Sequence, residues 1–265
     1  MGLYTTNFLL ESNSIPEADL NDHSTKLQQL YIAYFGRAGA PGGLDYWVSE
    51  GVSTKEFAAI MYAQPEFNSV NAGLSTKQQI NQIYLNLFNR GALEGGLNYW
   101  ASEIDSGRLQ LASIANDLIY NVYHPDGNLE DRLVMDNKVN AAIEYTSQIS
   151  ASAQTTDAYV ADSIDPWVTG DALEEAISFM SSIDANNQAT ASDVADSITN
   201  FRASSRYHTS LEHYESAHII EPINDFHDYA LGLLPTIKES SDEFLLASSN
   251  SIDNQIFFTD TIGLG

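Results

Sequence analysis

Four of the six histidines lie within twenty positions near the C-terminal end of the chain, and carboxylates are interleaved with them. Histidine together with Asp or Glu is the usual ligand set of zinc and iron sites. The histidines recur mostly every five residues, which spreads them around a helix, and no His-Glu-x-x-His pattern occurs. The pattern favours solvated or interface histidines and leaves a metal-dependent hydrolase as an alternative. The four candidate ligands are His208, His213, His218 and His227.

Other catalytic patterns are weaker. The chain contains no cysteine, which excludes a thiol nucleophile, and no Gly-x-Ser-x-Gly motif marks a serine nucleophile. Asp184 begins a stretch that resembles a calcium loop, but Ala195 stands where a bidentate Glu is required. We therefore predict a turn between two helices there and expect no cofactor, with calcium as the weak exception. No catalytic residue is assigned.

The clearest pattern is an internal repeat, in which residues 27–50 and 80–103 match at a constant offset of 53. A repeat indicates that one supersecondary unit is used twice. In each copy, apolar residues at helical spacing precede an Arg, a glycine-bearing loop and a second short helix. The predicted core residues are Tyr31, Phe35, Arg37, Gly43, Leu44, Tyr46 and Trp47 in the first copy, and Tyr84, Phe88, Arg90, Gly96, Leu97, Tyr99 and Trp100 in the second.

The aromatic residues of the repeat have two interpretations. Tyr-Trp pairs could form platforms for sugar rings, but large aromatic side chains more often fill cores. We therefore expect Trp47 and Trp100 both to be largely buried. Arg37 and Arg90 are expected near the C-terminal ends of their helices, where a cation suits the negative end of the dipole.

The chain as a whole is predicted to be all-α, a helical repeat bundle with two related helix-loop-helix units and a partly irregular C-terminal segment. An irregular N-terminal arm (1–23), packed on the first helix, precedes a helical domain (24–205). Its units cover about 27–79 and 80–128 and further helices follow. An acidic, histidine-containing segment (206–265) ends the chain.

Several helix boundaries are also predicted. Capping boxes at Ser53 and Ser75 start two helices, because each serine is followed three residues later by Glu or Gln. Pro65 is expected to end the helix before it and to begin a turn through Phe67. A long helix is predicted from Leu129 to about Ser150, and the residues on its core face are predicted to be Leu133, Val139, Ala142, Ile143 and Thr146.

This repeat resembles a bacterial family described as domain of unknown function 4214. The residues that carry the resemblance are the Phe-Gly-Arg and Gly-Leu-Asp-Tyr-Trp stretches of the first copy, less closely those of the second, and Asn-Lys-Val at 137–139. The resemblance covers about residues 24–150, and the first copy is the better match. Ala40 and Leu93 replace the family's loop Asp, so any pairing of that Asp with the Arg is lost here.

The resemblance implies an exported bacterial protein, since family members occur beside calcium-binding RTX repeats, which type I systems export, or in surface-layer proteins. It also implies a likeness to phycobilisome linker modules. An intracellular linker of that kind remains an alternative, although its acidic partners would favour a basic chain.

The net charge of −25 argues against anionic binding partners. It disfavours nucleic acid and anionic membranes, because like charges repel. After Lys138 the acidic residues outnumber the basic ones 20 to 3. No apolar run suits membrane insertion and no cleavable N-terminal signal is visible. We expect a non-enzymatic, extracellular or cell-surface module, exported without a cleaved N-terminal signal, that contacts a glycan, lipopolysaccharide or protein, including another copy of itself.

Overall fold

A computed structural model describes residues 13–159 and 171–203 of the chain, and within these residues it contains α-helices and no strand. The all-α expectation is therefore confirmed. The helices are α1 (His23–Phe35), α2 (Pro41–Ser49), α3 (Thr54–Ala63), α4 (Pro65–Val70), α5 (Thr76–Phe88), α6 (Glu94–Asp105), α7 (Ile114–Val122), α8 (Leu129–Ser150), α9 (Ala153–Ala158), α10 (Asp171–Ser182) and α11 (Ala191–Ala203). A short 3-10 helix, Leu111–Ser113, precedes α7.

Helix α1 is the centre of the fold. It packs against α2, α3, α5, α7 and α8. Because neighbours surround it, even polar residues of α1 such as Gln28 and Gln29 are buried beside Leu27 and Ile32. Burial on all sides of a helix is what a core position requires.

The helices of the two units correspond in their boundaries. Helices α1 and α5 begin and end 53 residues apart, as do the starts of α2 and α6. Both α1 and α5 end on a residue in the left-handed conformation, Gly36 (φ 66°) and Asn89 (φ 55°). Asn is one of the few side chains that tolerate this conformation, which explains how it can replace Gly.

These helix ends place Arg37 and Arg90 near the C-terminal ends of their helices, as predicted. Since α1 ends at Phe35 and α5 at Phe88, Arg37 and Arg90 lie beyond the last turn of each helix. They do not act on the helix dipoles from within the helices. Their side chains turn instead towards carboxylates in other helices.

The capping-box predictions and the Pro65 prediction are confirmed. The Ser53 and Ser75 side chains each accept a hydrogen bond from the backbone N–H three residues later, and the reciprocal bonds are present. Pro65 follows α3 and occupies the first turn of α4. Proline suits that position because its missing N–H has no partner in a first turn.

Helix α8 spans both units and has the predicted bounds, Leu129–Ser150. It packs against α1, α2, α5, α9 and α11. Leu133, which we placed on the core face, is 43% exposed. Val139 and Ala142, which belong to the same predicted face, are fully buried, so the prediction is right for them and wrong for Leu133. The face that packs inward also contains polar residues such as Lys138.

The described part of the N-terminal arm is hydrogen-bonded to α8 and to the start of α11. The backbone N–H of Ala18 donates to Asn140 Oδ1 at 2.8 Å. The N–H of Ala191 donates to the carbonyl of Asn13 at 3.1 Å. The arm therefore ties the start of α11 to the rest of the bundle.

The stretch that resembled a calcium loop forms the predicted turn, between α10 and α11. Asp184 Oδ1 accepts hydrogen bonds from the backbone N–H groups of Asn186 and Asn187. The carboxylate is thus used to shape the turn. The segment 206–265, with its predicted irregular character and its four histidines, lies outside the described residues.

Candidate functional site

Aromatic side chains of the first unit, Tyr31, Trp47 and Phe57, form a buried cluster, the aromatic corner. The ring of Tyr31 lies 5.4 Å from that of Phe57, and Trp47 lies 6.2 Å from the same Phe57 ring in an edge-on arrangement. Trp47 is 2% exposed and Phe57 is fully buried. Such tilted pairs stabilise a core beyond the area that they bury.

Arg37 lies in this corner and forms a buried ion pair with Glu66 of α4. Its Nε and Nη2 atoms donate to the two Glu66 carboxylate oxygens at 2.8 and 2.5 Å, and Nη1 donates to the carbonyl of Ala38. Burial alone would lower the pKa of Arg37, but the Glu66 carboxylate outweighs it and holds that pKa above its usual value. The guanidinium also lies against the rings of Phe35 and Tyr159.

The second unit repeats this pairing with a different helix. Arg90 Nε and Nη2 donate to the carboxylate oxygens of Asp131, in the first turn of α8, at 2.7 and 2.5 Å. Arg90 Nη1 donates to the carbonyl of Gly91, as Arg37 does to that of Ala38. The side chain of Arg90 is 35% exposed, whereas that of Arg37 is 4% exposed.

Sequence reasoning missed Glu66 and Asp131 as the partners of the two arginines. The carboxylates stand 29 and 41 residues after their arginines, and neither distance follows from the repeat. Both, however, lie in the first turn of a helix, where acidic residues are favoured. That position was the signal that could have found them.

The two units also differ in burial. Tyr31, Leu44 and Trp47 are buried, whereas their counterparts Tyr84, Leu97 and Trp100 are only partly buried. The expectation that both indoles are largely buried is confirmed for Trp47, whereas Trp100 is only partly buried. Trp100 Nε1 donates to the hydroxyl of Tyr84 at 3.0 Å, which satisfies the indole at the edge of the core. Of the remaining repeat residues, three are buried: Phe35, Phe88 and Gly43. Three are partly buried: Gly96, Tyr46 and Tyr99.

Each unit holds its loop with an amide side chain from its first helix. Gln28 Oε1 accepts from the backbone N–H of Gly39 at 3.1 Å, and Asn81 Oδ1 accepts from that of Ala92 at 3.0 Å. Both pairs are separated by 11 residues. The amide is therefore a structural device that the two units share.

In the first unit α8 covers this amide. Gln28 Nε2 donates to the carbonyl of Ala142 at 2.8 Å and to Thr146 Oγ1 at 2.9 Å. Thr146 Oγ1 donates in turn to the carbonyl of Gly39 at 2.8 Å. A helix with Ala and Thr one turn apart thus closes the surface around Gln28.

The corresponding surface of the second unit is open. It forms a concave site, the second-unit groove, which is lined by Leu74, Lys77, Gln78, Asn81, Gln82 and Leu97. In the first unit four of the six counterparts, Thr25, Gln28, Gln29 and Leu44, are buried, whereas Ser24 is partly buried and Asn21 is exposed. The groove combines amide groups, one cation and an apolar side chain, which is a composition suited to a polar ligand or to a helix backbone.

A further groove lies between α10 and α11, beside Glu175, Phe179 and Ser197. Glu175 Oε1 accepts from Ser197 Oγ at 3.4 Å and from Asn200 Nδ2 at 3.3 Å. Its carboxylate therefore already links the two helices that form this groove.

Lys138 joins the second unit to α8. Its Nζ donates to the carbonyl of Asn86 and to Asn89 Oδ1, both at 2.6 Å, at the C-terminal end of α5. The side chain is 1% exposed, and burial lowers its pKa to about 7. A lysine at this place binds the negative end of a helix dipole and fixes α5 against α8.

The lowered pKa of Lys138 predicts that stability rises with pH above neutrality. Between about pH 7 and its ordinary value of 10.5, the unfolded chain keeps the proton that the folded chain has lost. The free energy of unfolding should then rise by on the order of 1 kcal/mol per pH unit. Urea unfolding at pH 7, 8 and 9 measures this slope. Burial raises the pKa of Asp117 to about 6, so this range lies above the titration of Asp117.

Lys138→Met is the control for that measurement. The variant removes the titrating group, so its stability should change less between pH 7 and 9 than that of the natural chain. Equal slopes in both proteins would show that Lys138 does not titrate in this range.

The fold and the paired corners define an all-α domain built from two related helix-loop-helix units. Residues 58–118 match the family model described as Domain of unknown function (DUF4214), which confirms the resemblance inferred from the repeat. The matched residues contain the second copy and not the first, although the first was expected to match better. No curated protein and no solved structure matches the chain. Within the described ranges, no helix is both long and apolar enough to span a membrane.

Proposed function

We propose that this chain is a non-enzymatic binding and assembly module of an exported bacterial surface protein, and that it binds its ligand through the second-unit groove. The observation that carries this proposal is the difference between the two units. The same surface is closed by α8 in the first unit and open in the second. Because the core does not need a helix over the surface of the second unit, that surface can be presented to a ligand.

The role of the charged groups at the two corners supports a binding function over a catalytic one. Arg37 and Arg90 are each held by two hydrogen bonds to one carboxylate, and Lys138 is held by two acceptors of the second unit. A general acid or base must be able to exchange protons with a substrate. Groups that are engaged in this way stabilise the fold.

The groove suits ligands with polar groups and a modest apolar surface. Its amide side chains can donate hydrogen bonds to, and accept them from, the hydroxyl groups of a glycan or of the sugars of lipopolysaccharide. They can form the same bonds with a protein backbone. Leu97 supplies apolar contact, and Trp100 lies one helical turn further along α6.

A retention assay tests this function. The full chain is immobilised and exposed to bacterial glycans, to lipopolysaccharide and to the purified chain itself. Asn81→Asp should lower retention of the ligand about tenfold, because it keeps the acceptor for Ala92 and removes the donor. Asp45→Lys changes an exposed residue of the first unit and should bind normally. Retention of none of the three ligands, or equal retention by Asn81→Asp, contradicts the proposal.

The export proposal rests on the acidity of the chain, which suits a saline medium, and on its lack of cysteine. It predicts that stability rises with salt. Carboxylates concentrated after Lys138 repel one another more in the compact state than in the expanded one, so the folded form gains more from screening. The thermal midpoint should rise between about 0.01 and 1 M sodium chloride, where the Debye length falls from roughly 30 to 3 Å.

Calcium is the control for the salt series. A midpoint that rises with millimolar calcium but not with sodium chloride would indicate specific sites instead of general screening. A midpoint that is flat or falls in sodium chloride would remove the physical support for a saline environment.

A further inference from the structure

We propose that the second-unit groove binds helix α11 of a second copy of this chain, through the exposed face that contains Ala195 and Thr199. The proposal rests on the function proposed above, in which this groove is the binding surface, and it names the partner. The inference is based on α8, the helix that covers the equivalent surface of the first unit.

The first unit defines what such a surface accepts. Helix α8 supplies the carbonyl of Ala142 as an acceptor for Gln28, and the hydroxyl of Thr146 as a donor to the loop carbonyl of Gly39. Alanine matters because its small side chain lets the helix backbone come within hydrogen-bond distance of the amide. The recognised pattern is therefore Ala followed four residues later by Thr.

The second unit offers the same two groups. Asn81 Oδ1 is used by the N–H of Ala92, which leaves Nδ2 as a donor. Within the described part of the chain, neither this Nδ2 atom nor the carbonyl of Ala92, the counterpart of that of Gly39, has a hydrogen-bond partner. Asn81 is one methylene shorter than Gln28, so a bound helix must approach still more closely. That requirement also selects alanine.

Helix α11 carries the required pattern on its outer face. Ala195 and Thr199 are exposed and stand four residues apart, as Ala142 and Thr146 do on α8. In the free chain Thr199 Oγ1 donates to the carbonyl of Ala195 at 2.9 Å, so binding requires this hydroxyl to turn from that carbonyl towards the loop carbonyl of Ala92. The opposite face of α11, with Val194 and Phe201, is buried in the same chain. The exposed face also includes the small residues Ser192 and Ala203, and at its edge Arg202, whose Nε donates to Thr155 Oγ1 at 3.1 Å within the same chain.

The charges of the two surfaces are complementary. Lys77 lines the groove, and its Nζ donates to the neutral side chain of Asn98 at 2.7 Å. Asp196 is exposed on α11 next to Ala195. In a chain with 36 acidic and 11 basic residues, a lysine opposite an acidic helix favours this pairing over most others.

The contact joins two different surfaces of the chain, so it is heterologous. Each bound copy still has a free groove or a free α11. Contacts of this kind produce closed rings or open chains and not two-fold dimers. The inference therefore predicts assemblies that can grow beyond a dimer.

Sedimentation equilibrium of the full chain over a range of concentrations, in about 0.15 M sodium chloride, tests the proposal. The natural chain should associate with rising concentration. Lys77→Glu and Asp196→Lys each place like charges at the contact and should each weaken association about tenfold. An equimolar mixture of these two variants should associate like the natural chain, because both contacts in it join opposite charges.

Two further variants separate contact from folding. Ala195→Arg places a large side chain at the centre of the contact and should weaken association at least about tenfold, with an unchanged circular dichroism spectrum. Asp45→Lys, a charge reversal of the same size elsewhere, should associate normally. A chain that stays monomeric, or variants that associate like the natural chain, would overturn the inference. A monomeric chain that retains glycan or lipopolysaccharide through Asn81 would overturn it and leave the proposed function standing.

Discussion

Trp47→Ala is expected to lower the free energy of unfolding by about 3 to 5 kcal/mol. Trp47 is 2% exposed and packs edge-on against Phe57, which is fully buried. Its removal leaves a cavity between α2 and α3 that the surrounding aromatic side chains cannot fill without losing their own contacts. Urea unfolding followed by circular dichroism at neutral pH measures the loss.

The repeat supplies the control for this experiment. Trp100→Ala changes the corresponding residue of the second unit, which is only partly buried, and should cost about 1 to 2 kcal/mol. Equal losses in the two variants would contradict the account in which the first unit forms the core and the second lies at its edge.

Glu66→Gln is expected to destabilise the protein by about 3 to 5 kcal/mol, because it leaves the guanidinium of Arg37 buried without a counter-charge. Both partners of this pair are almost fully buried. The rings around Arg37 lie within 6 Å of its guanidinium carbon but cannot replace a carboxylate. The midpoint and slope of urea unfolding give the difference.

Asp131→Asn is the matched variant in the second unit. Since Arg90 is 35% exposed, water can solvate its charge after the carboxylate is neutralised. The loss should be smaller, on the order of 1 kcal/mol. A larger loss from Asp131→Asn than from Glu66→Gln would show that exposure does not decide the strength of these pairs.

Local patterns were enough to predict most of the helices. Capping boxes at Ser53 and Ser75 gave two N-termini, and the spacing of apolar residues gave α8 its bounds. These features depend on neighbours three or four residues away. The constant offset of 53 likewise gave the correspondence of α1 with α5, because the same residues form the same local structure.

The difference between the two units could not be predicted in this way. It depends on α8. Its residues Ala142 and Thr146 lie more than a hundred residues along the chain from Gln28 and Gly39, the first-unit residues that they cover. Hydrophobic spacing places Val139 and Ala142 of α8 in the core correctly, but it also places Leu133 there, which is 43% exposed. The almost complete burial of Trp47 and the partial burial of Trp100 follow from this packing and not from the repeat itself.

Fluorine NMR of the chain labelled with 5-fluorotryptophan tests the central claim most directly, because it compares the two units in one sample. Spectra of dilute protein are compared with those of concentrated protein and of protein with added lipopolysaccharide. The account predicts that the Trp100 resonance shifts in at least one of these conditions and is broadened by a soluble paramagnetic probe in dilute protein. The Trp47 resonance should respond to neither. Equal responses from Trp47 and Trp100, or no shift of Trp100 in either condition, would contradict a buried first unit and a binding second unit.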